Sequence, residues 1–245
     1  MPATTAETFA STPGDRAFDA LVFDLDGVIV DTENVIHRVW SETFARYGSS
    51  FTAEEWATAI GTDHGFDPLA ALIERSSVPL PSPAELQKDI SRAEKVLLEG
   101  MSPLPGIRDW IEGAERLGMG VAVASSSPAA WVEGRLADVG LASRFVVVSC
   151  RSERLKAKPA PDLYLDACRR LQVEPSRAIA VEDSINGLTA ARAAGLWCVA
   201  VPNSMTLDHD LSAANLLVES LAAMPIDEAV RRLNEQRADS AGPSR

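Results

Sequence analysis

Cysteine and histidine are scarce in this chain, whose 245 residues hold only three of each. Cys150, Cys168 and Cys198 are far apart and odd in number, so they form neither a disulfide framework nor a zinc pattern. Cys198 lies in an apolar run and reads as a small core residue. A reducing cytoplasm is the expected compartment. His37, His64 and His209 show no metal-ligand spacing. Positive charge is short as well: 23 Lys and Arg against 35 Asp and Glu give a net charge of −12 and a sequence pI near 4.7. That balance excludes nucleic acid and anionic membrane as principal partners. It also repels phosphorylated small molecules, although screening confines the effect to roughly 8–10 Å. A phosphate site here needs its own local cations. No apolar run approaches a membrane span. Residues 1–17 lack the basic and apolar regions of a signal peptide and read as a disordered tail. A Walker loop is missing, and Gly118-Met-Gly120 precedes a strand instead of following one. Ser125 to Ser127 lacks the glycine frame of a nucleophile elbow.

What is present is a hydrophobic fraction of 46%, enough to build a core. The run Leu21-Val-Phe-Asp-Leu-Asp-Gly-Val-Ile-Val30 closes the first apolar stretch. Ala20 to Phe23 reads as a buried strand. Two carboxylates, Asp24 and Asp26, then stand at its end, where burial is costly unless a cation balances them. Gly27 marks a turn or a close backbone approach. Residues 33–100 read as mostly helical. His37, Trp40, Phe44 and Tyr47 recur at helical spacing, and Ser82-Pro-Ala-Glu85 has the form of a capping box. Ser102-Pro-Leu-Pro-Gly106 breaks that pattern. Beyond it helices alternate with strands expected at 120–124, 145–148, 178–181 and 197–201. A short strand near 216–218, a last helix over 226–236 and a frayed tail over 237–245 complete the reading. Strands alternating with helices of this length make a parallel α/β sheet. The expected organisation is a Rossmann-like core from residues 18–32 and 101–236, with residues 33–100 inserted as a helical cap.

The strand ends carry the chemistry. The first ends in Asp24-Leu-Asp26, and the strand at 120–124 ends in Ser125-Ser-Ser127. Lys156-Ala-Lys-Pro-Ala-Pro161 follows the next strand, and Glu182-Asp183-Ser184 closes the strand at 178–181. In open parallel sheets these ends converge on one crevice. Such a set suits phosphoryl transfer, in which a carboxylate can serve as nucleophile. Two like charges about 4 Å apart repel by roughly 4 kcal/mol at an effective dielectric near 20. The acids therefore call for a hard divalent cation, and Mg²⁺ fits best. Lys158 supplies a second cation, and the Ser125 hydroxyl with backbone N–H groups would hold the transferring oxygens.

Asp-Leu-Asp-Gly-Val, Ala-Ser-Ser-Ser, Lys-Pro-Ala-Pro-Asp and Val-Glu-Asp-Ser-Ile-Asn-Gly together resemble the four motifs of the haloacid dehalogenase-like hydrolase superfamily. The resemblance runs from Ala20 to about Val201 and is strongest to the branch holding β-phosphoglucomutase and sugar phosphatases. It implies that Asp24 is the phosphorylated nucleophile. Asp26 would protonate the leaving oxygen and then activate water. Ser125, Ser126 and Lys158 would bind the transferring phosphoryl group, with Lys158 also steadying Asp24. Asp24, Asp183 and the backbone carbonyl of Asp26 would bind Mg²⁺, supported by Glu182. Dehalogenases of the family lack an aspartate at the place of Asp26, which favours phosphate chemistry.

The expected activity is a Mg²⁺-dependent phosphatase acting on a small phosphorylated metabolite, such as a sugar phosphate, through an aspartyl-phosphate. Two alternatives stay open, a phosphomutase of the β-phosphoglucomutase kind and a catalytically silent binding protein. The mutases carry a histidine five residues after the hinge aspartate, here Asp31. Ile36 stands at that position and His37 is one residue on, a rotation of about 100° on a helix. A mutase cap arginine is also missing near Thr62-Asp63-His64-Gly65. His64, and Arg92 and Lys95 on a later helix, read as surface. Ala129 replaces a polar residue of the mutase pattern. The loops 62–66 and 203–210 are expected to shape the pocket. The sequence itself specifies neither the metabolite nor the oligomeric state.

Overall fold

A computed structural model describes residues 17–58, 60 and 66–241; the expected N-terminal tail up to residue 16 and the loop positions Thr62 to Gly65, His64 included, lie outside them. The first strand, β1 (Ala20–Phe23), is buried along its whole length. It is followed by α1 (Thr32–Arg46), α2 (Ala53–Ala57), α3 (Pro68–Arg75) and α4 (Pro83–Leu98). The chain then runs α5 (Ile107–Arg116), β2 (Gly120–Pro128), α6 (Ala129–Asp138), β3 (Val147–Arg151), α7 (Asp162–Leu171), β4 (Ala178–Glu182) and α8 (Ile185–Ala194). It ends in β5 (Trp197–Ala200), β6 (Leu216–Leu217) and α9 (Ile226–Ala241).

The six strands form one parallel sheet in the order β3-β2-β1-β4-β5-β6. Alternation along β1 divides the core. Leu21 and Phe23 pack with Ile107, Trp110, Ile111 and Leu233 on one face. Ala20 and Val22 pack with Leu163, Tyr164 and Leu188 on the other. Both faces are covered, so the strands read as continuous apolar runs. β1 lies between β2 and β4, in register with Phe23 opposite both Val123 and Val181. The polar residues that follow these three strands therefore emerge at one level, at the place where strand order reverses.

α1 to α4 bury their own cluster, built on Val39, Trp40, Phe44, Phe51, Leu72, Leu86 and Ile90. Phe51 stacks on Phe44 at 5.2 Å and on Phe66 at 5.5 Å. Ser82 and Glu85 form the expected capping box at the start of α4.

Three of the expected core elements differ from the sequence reading by more than one residue at an end. β2 continues through Pro128, because Ser125 and Pro128 still pair with Cys150 and Arg151 of β3 across an irregular register. β3 begins at Val147, not Phe145, since Val146 turns outward and is 75% exposed. α9 extends to Ala241, past the start of the expected frayed tail. Glu228 and Glu235, pairing with Arg231 and Arg232, help hold its earlier turns.

Candidate active site

Asp24 directly follows β1 and is 4% exposed. Its Oδ1 accepts from the Leu25 amide at 2.8 Å and lies 2.7 Å from Lys158 Nζ. Its Oδ2 accepts no hydrogen bond among the described residues. Lys158 sits on the loop between β3 and α7, is 1% exposed, and also reaches Glu182 Oε1 at 2.6 Å. Tyr164, on the buried face of α7, donates its hydroxyl to the same Glu182 oxygen, and the Lys158 ammonium lies 5.4 Å from the centre of its ring.

Asp183 follows Glu182 and is fully buried. Asn203 Nδ2 donates to Asp183 Oδ2 at 2.6 Å and to the Gly27 carbonyl at 3.1 Å, tying the loop after β5 to the turn after β1. Gly27 has φ +83°, and a Cβ there would lie 2.3 Å from Asp183 Oδ2, so no larger residue fits. Gly187 in α8 is constrained in the same way: its Cβ would lie 1.8 Å from Glu182 Oε2. Ser184 caps that helix by accepting from the Gly187 amide at 3.0 Å.

Asp26 is held apart from this group. Its Oδ1 accepts from Thr32 Oγ1 at 2.7 Å and Trp131 Nε1 at 2.9 Å, and its Oδ2 accepts from Ser127 Oγ at 2.7 Å. Three donors from α1, α6 and β2 thus fix one carboxylate. Ser125 is buried, and its Oγ accepts from the Ser127 amide at 3.1 Å. Ser126 Oγ accepts from the Lys158 amide at 3.1 Å.

Asp24, Glu182 and Asp183 each offer a carboxylate oxygen, and these oxygens lie within 4.8 Å of one another. Glu182 Oε2 and Asp183 Oδ1 are buried and unpartnered. Orphaned buried acceptors of this kind are costly. Three carboxylates faced by one ammonium leave an excess of two negative charges. A divalent oxygen-seeking cation fits both the charge and the donor chemistry. Without it, burial pushes the Asp24 carboxyl up to about 7 against the pull of Lys158, with Glu182 and Asp26 adding to the rise. Burial, then Asp24 and Glu182, likewise raise Asp183 well above the ordinary carboxylate range. Burial alone would lower Lys158, but Asp24 and Glu182 hold its ammonium above the usual lysine value.

The sequence-expected residues Asp24, Lys158, Glu182 and Asp183 meet in one cluster, with Asp26, Ser125 and Ser126 beside it. Tyr164, Trp131 and Glu33 carry no signal in the sequence, whereas Thr32, beside Asp31 at the hinge, and Asn203, at the start of the expected pocket loop, carry none for the carboxylates they meet. Tyr164 and Trp131 sit on helices where an aromatic reads as core, so only the fold shows which carboxylate each one meets. Glu33 is 7% exposed and accepts from Trp56 Nε1 of α2 at 2.8 Å. Arg92 and Lys95 are exposed on α4, as a solvated helix face would have them. The loop 203–210 meets the site through Asn203, and Ser204 exchanges hydrogen bonds with Asn34 at 2.8 and 3.1 Å.

The haloacid dehalogenase-like hydrolase family model matches residues 18–195. Among curated proteins, "Putative phosphatase YhcW" of Bacillus subtilis (strain 168) is 36% identical over 217 residues, covering 89% of this chain and 98% of its own length. Fructose-1-phosphate phosphatase YqaB of Escherichia coli (strain K12) is 30% identical over 187 residues, covering 75% of this chain and 96% of its own. The crystal structure of CbbY from Rhodobacter sphaeroides in complex with phosphate superposes with a TM-score of 0.68 at 32% identity, covering 84% of this chain and 95% of that one. With the family model spanning most of the chain and the acids, lysine and serines of its motifs gathered at one sheet edge, this chain belongs to the haloacid dehalogenase-like hydrolases.

Proposed function

We propose that this chain, a phosphoric monoester hydrolase, removes phosphate from small phosphorylated metabolites, sugar phosphates among them, through an aspartyl-phosphate on Asp24. The observation that carries the reading is the buried Asp24–Lys158–Glu182–Asp183 cluster beside a separately fixed Asp26. In the first step an Asp24 oxygen attacks phosphorus and the ester P–O bond breaks. Asp26 gives its proton to the departing oxygen, and the alcohol leaves. In the second step Asp26 takes a proton from water, whose oxygen attacks the phosphorus. The acyl–phosphate bond breaks, phosphate departs and Asp24 is restored. Acid–base help of this kind is typically worth about 10²–10⁴-fold. Lys158, Ser125 and Ser126 hold the phosphoryl oxygens, and Lys158 keeps Asp24 oriented. Mg²⁺, when bound by Asp24, Asp183 and the Asp26 carbonyl with Glu182 in support, supplies positive charge against the phosphoryl oxygens.

In this reading the inserted helices act as a cap that sets the leaving group. Water as the final acceptor is supported by His37, which packs on Phe51 at 5.2 Å within the insert's own aromatic cluster. Sugar phosphates are supported by YqaB, named a fructose-1-phosphate phosphatase. The cytoplasm is supported by the free cysteines, of which Cys168 and Cys198 are buried. No helix among the described residues is long and apolar enough to cross a membrane.

Purified protein with Mg²⁺ is expected to release phosphate from at least one member of a broad monoester panel, and Asp24→Asn to abolish this. No release across the panel overturns the reading. Conversion of β-glucose 1-phosphate to glucose 6-phosphate with a bisphosphate primer and little free phosphate would assign a mutase instead.

A further inference from the structure

The hydrolytic steps give Trp131 no task, yet its indole meets the acid that they depend on. Asp26 Oδ1 accepts from Trp131 Nε1 at 2.9 Å and from Thr32 Oγ1 at 2.7 Å, and Asp26 Oδ2 accepts from Ser127 Oγ at 2.7 Å. Trp131 stands in the first turn of α6, half-buried against the core that holds Phe23 and Phe145. One turn further along α6, the Arg135 guanidinium lies over the indole, 5.2 Å from the ring centre. Arg135 Nη2 pairs with Asp138 at 2.8 Å. Its Nε and Nη1 are buried and have no hydrogen-bond partner among the described residues. The aromatic face is the contact that balances that side of the cation. Core packing alone needs only a ring here; a ring clamped by a cation, with its N–H on a carboxylate, is a more particular arrangement.

The donors on the two Asp26 oxygens differ in kind. An indole N–H donates and cannot accept, so Oδ1 is held as an acceptor. A hydroxyl does either, so Ser127 suits Oδ2 whether or not that oxygen carries a proton. Oδ2 also lies on the side of the serine loop, where the Ser127 amide donates to Ser125 Oγ at 3.1 Å. Ser125 flanks the position of the phosphoryl group. In-line transfer puts the leaving oxygen across the phosphorus from Asp24. An acid that serves it stands off from the Asp24 cluster and needs a separate device to aim it. Arg135 fixes the plane of the indole, and the indole fixes the plane of the carboxylate.

We propose that Trp131, steadied by Arg135, is a positioning residue that keeps Asp26 Oδ1 engaged and presents Oδ2 to the ester oxygen. The inference rests on the phosphatase reading above and adds the device that aims its acid. In the first step the proton on Oδ2 passes to the departing oxygen as the ester P–O bond breaks and the bond from Asp24 to phosphorus forms. In the second, Oδ2 takes a proton from the attacking water. Without the indole N–H the carboxyl group turns more freely, and the proton is no longer aimed.

The test compares p-nitrophenyl phosphate, phenyl phosphate and the alkyl ester fructose 1-phosphate, using the full chain with Mg²⁺. Nitrophenolate departs readily without a proton, phenolate less so, and an alkoxide hardly at all. The readout is kcat/KM, which measures stabilisation of the transition state for transfer onto Asp24. Trp131→Phe keeps a ring and removes the N–H. It is expected to lower kcat/KM by about 10–100-fold for the alkyl ester and by less than about threefold for p-nitrophenyl phosphate, with phenyl phosphate between them. Arg135→Met is expected to give the same ordering with a smaller spread. An equal loss on all three esters means that the ring serves packing alone, and it overturns the proposal; so does no loss on any of them. A second readout needs no turnover. The Trp131 indole N–H proton resonance is expected to move upfield in Asp26→Ala, as it loses a carboxylate partner. An unmoved resonance overturns the proposal even where Trp131→Phe does not fold. Absence of phosphate release from all three esters by the parent protein defeats the phosphatase reading, and the proposal with it; an active parent with an equal loss or an unmoved resonance defeats the proposal alone.

Discussion

At the C-terminal edge of β1 and β4 the buried residues are polar, and each has a specific partner: Lys158 with Asp24 and Glu182, Tyr164 with Glu182, Asn203 with Asp183. In α1 to α4 the buried residues are mostly apolar and interchangeable in kind: Phe44, Phe51, Leu72, Leu86 and Ile90. The first region is expensive to build, because buried charges need both partners and hydrogen bonds. The second is an ordinary hydrophobic cluster that tolerates repacking. The two meet through polar contacts that include Thr32 to Asp26, Ile60 to Asn186 and Asn34 to Ser204. A reaction common to a family is expected to reside in the rigid polar edge, and selectivity among leaving groups in the insert.

The sharpest way to break that division is at Asp24. Asp24→Asn is expected to reduce phosphate release by at least about 10³-fold while the protein stays folded. Asp26→Asn should cost about 10²–10⁴-fold in the same assay. If both variants kept more than a tenth of the parent rate, the polar edge would not be the reacting centre.

Removing the lysine tests the cost of that edge. Lys158→Met leaves Asp24 and Glu182 as unpaired buried carboxylates and is expected to destabilise by about 3–5 kcal/mol in denaturant titration. A smaller change is expected at Gly187, where the added Cβ of Ala meets Glu182 Oε2 at 1.8 Å. Overpacking of this kind costs about 1–3 kcal/mol, and displacing Glu182 should lower turnover as well.

The pH dependence of stability follows from the same acids. Unfolded, the Asp24 and Glu33 carboxyls release their protons near 3.8 and 4.5; folded and metal-free, they hold them to about 7 and about 8. Between those limits the folded state binds more protons, so stability falls as pH rises. The metal-free melting temperature is therefore expected to drop from pH 5 to pH 8, and Mg²⁺ to flatten that slope by favouring the ionised carboxylates. Partly buried His37, lowered by burial, opposes the trend only below its ordinary 6.5. A metal-free melting temperature that rose across the same range would show that the acids are compensated in some other way.

The smallest effect belongs to the surface of the insert. Arg75 pairs with Glu55 at 2.5 Å and lies 5.3 Å from the centre of the Phe66 ring, with 38% of its side chain exposed. Arg75→Ala is expected to cost no more than about 1 kcal/mol, and turnover should not change.

Much of the polar edge was legible in the sequence, because strand-end residues in a parallel sheet are brought together by topology alone. Asp24, Ser125 and Asp183 stand at or just past the ends of apolar runs that read as buried strands, Lys158 lies on the loop after another, and alternation with helices implied that these strands run parallel. The partners were hidden for an equally physical reason. Tyr164 lies on the buried face of α7, where spacing describes core packing and nothing more. Trp131 and Ser127 meet Asp26 across more than 100 residues, and no local pattern records that. Glu33 looked like an ordinary acidic first-turn residue of a helix; its burial under Trp56 comes from how α2 folds back. The strand boundary at β3 was misplaced because Phe145 and Val146 are apolar, whereas the paired residues Ser149 and Cys150 are not strongly so.

The most direct test of the central claim is to trap the covalent intermediate. Asp26→Asn protein with Mg²⁺ would be mixed with a turned-over monoester, quenched in acid and digested for mass spectrometry. The expected result is a phosphoryl adduct on Asp24 that is absent from the Asp24→Asn, Asp26→Asn double variant. A phosphoryl group on another residue, or none at all while phosphate is still released, would contradict the account.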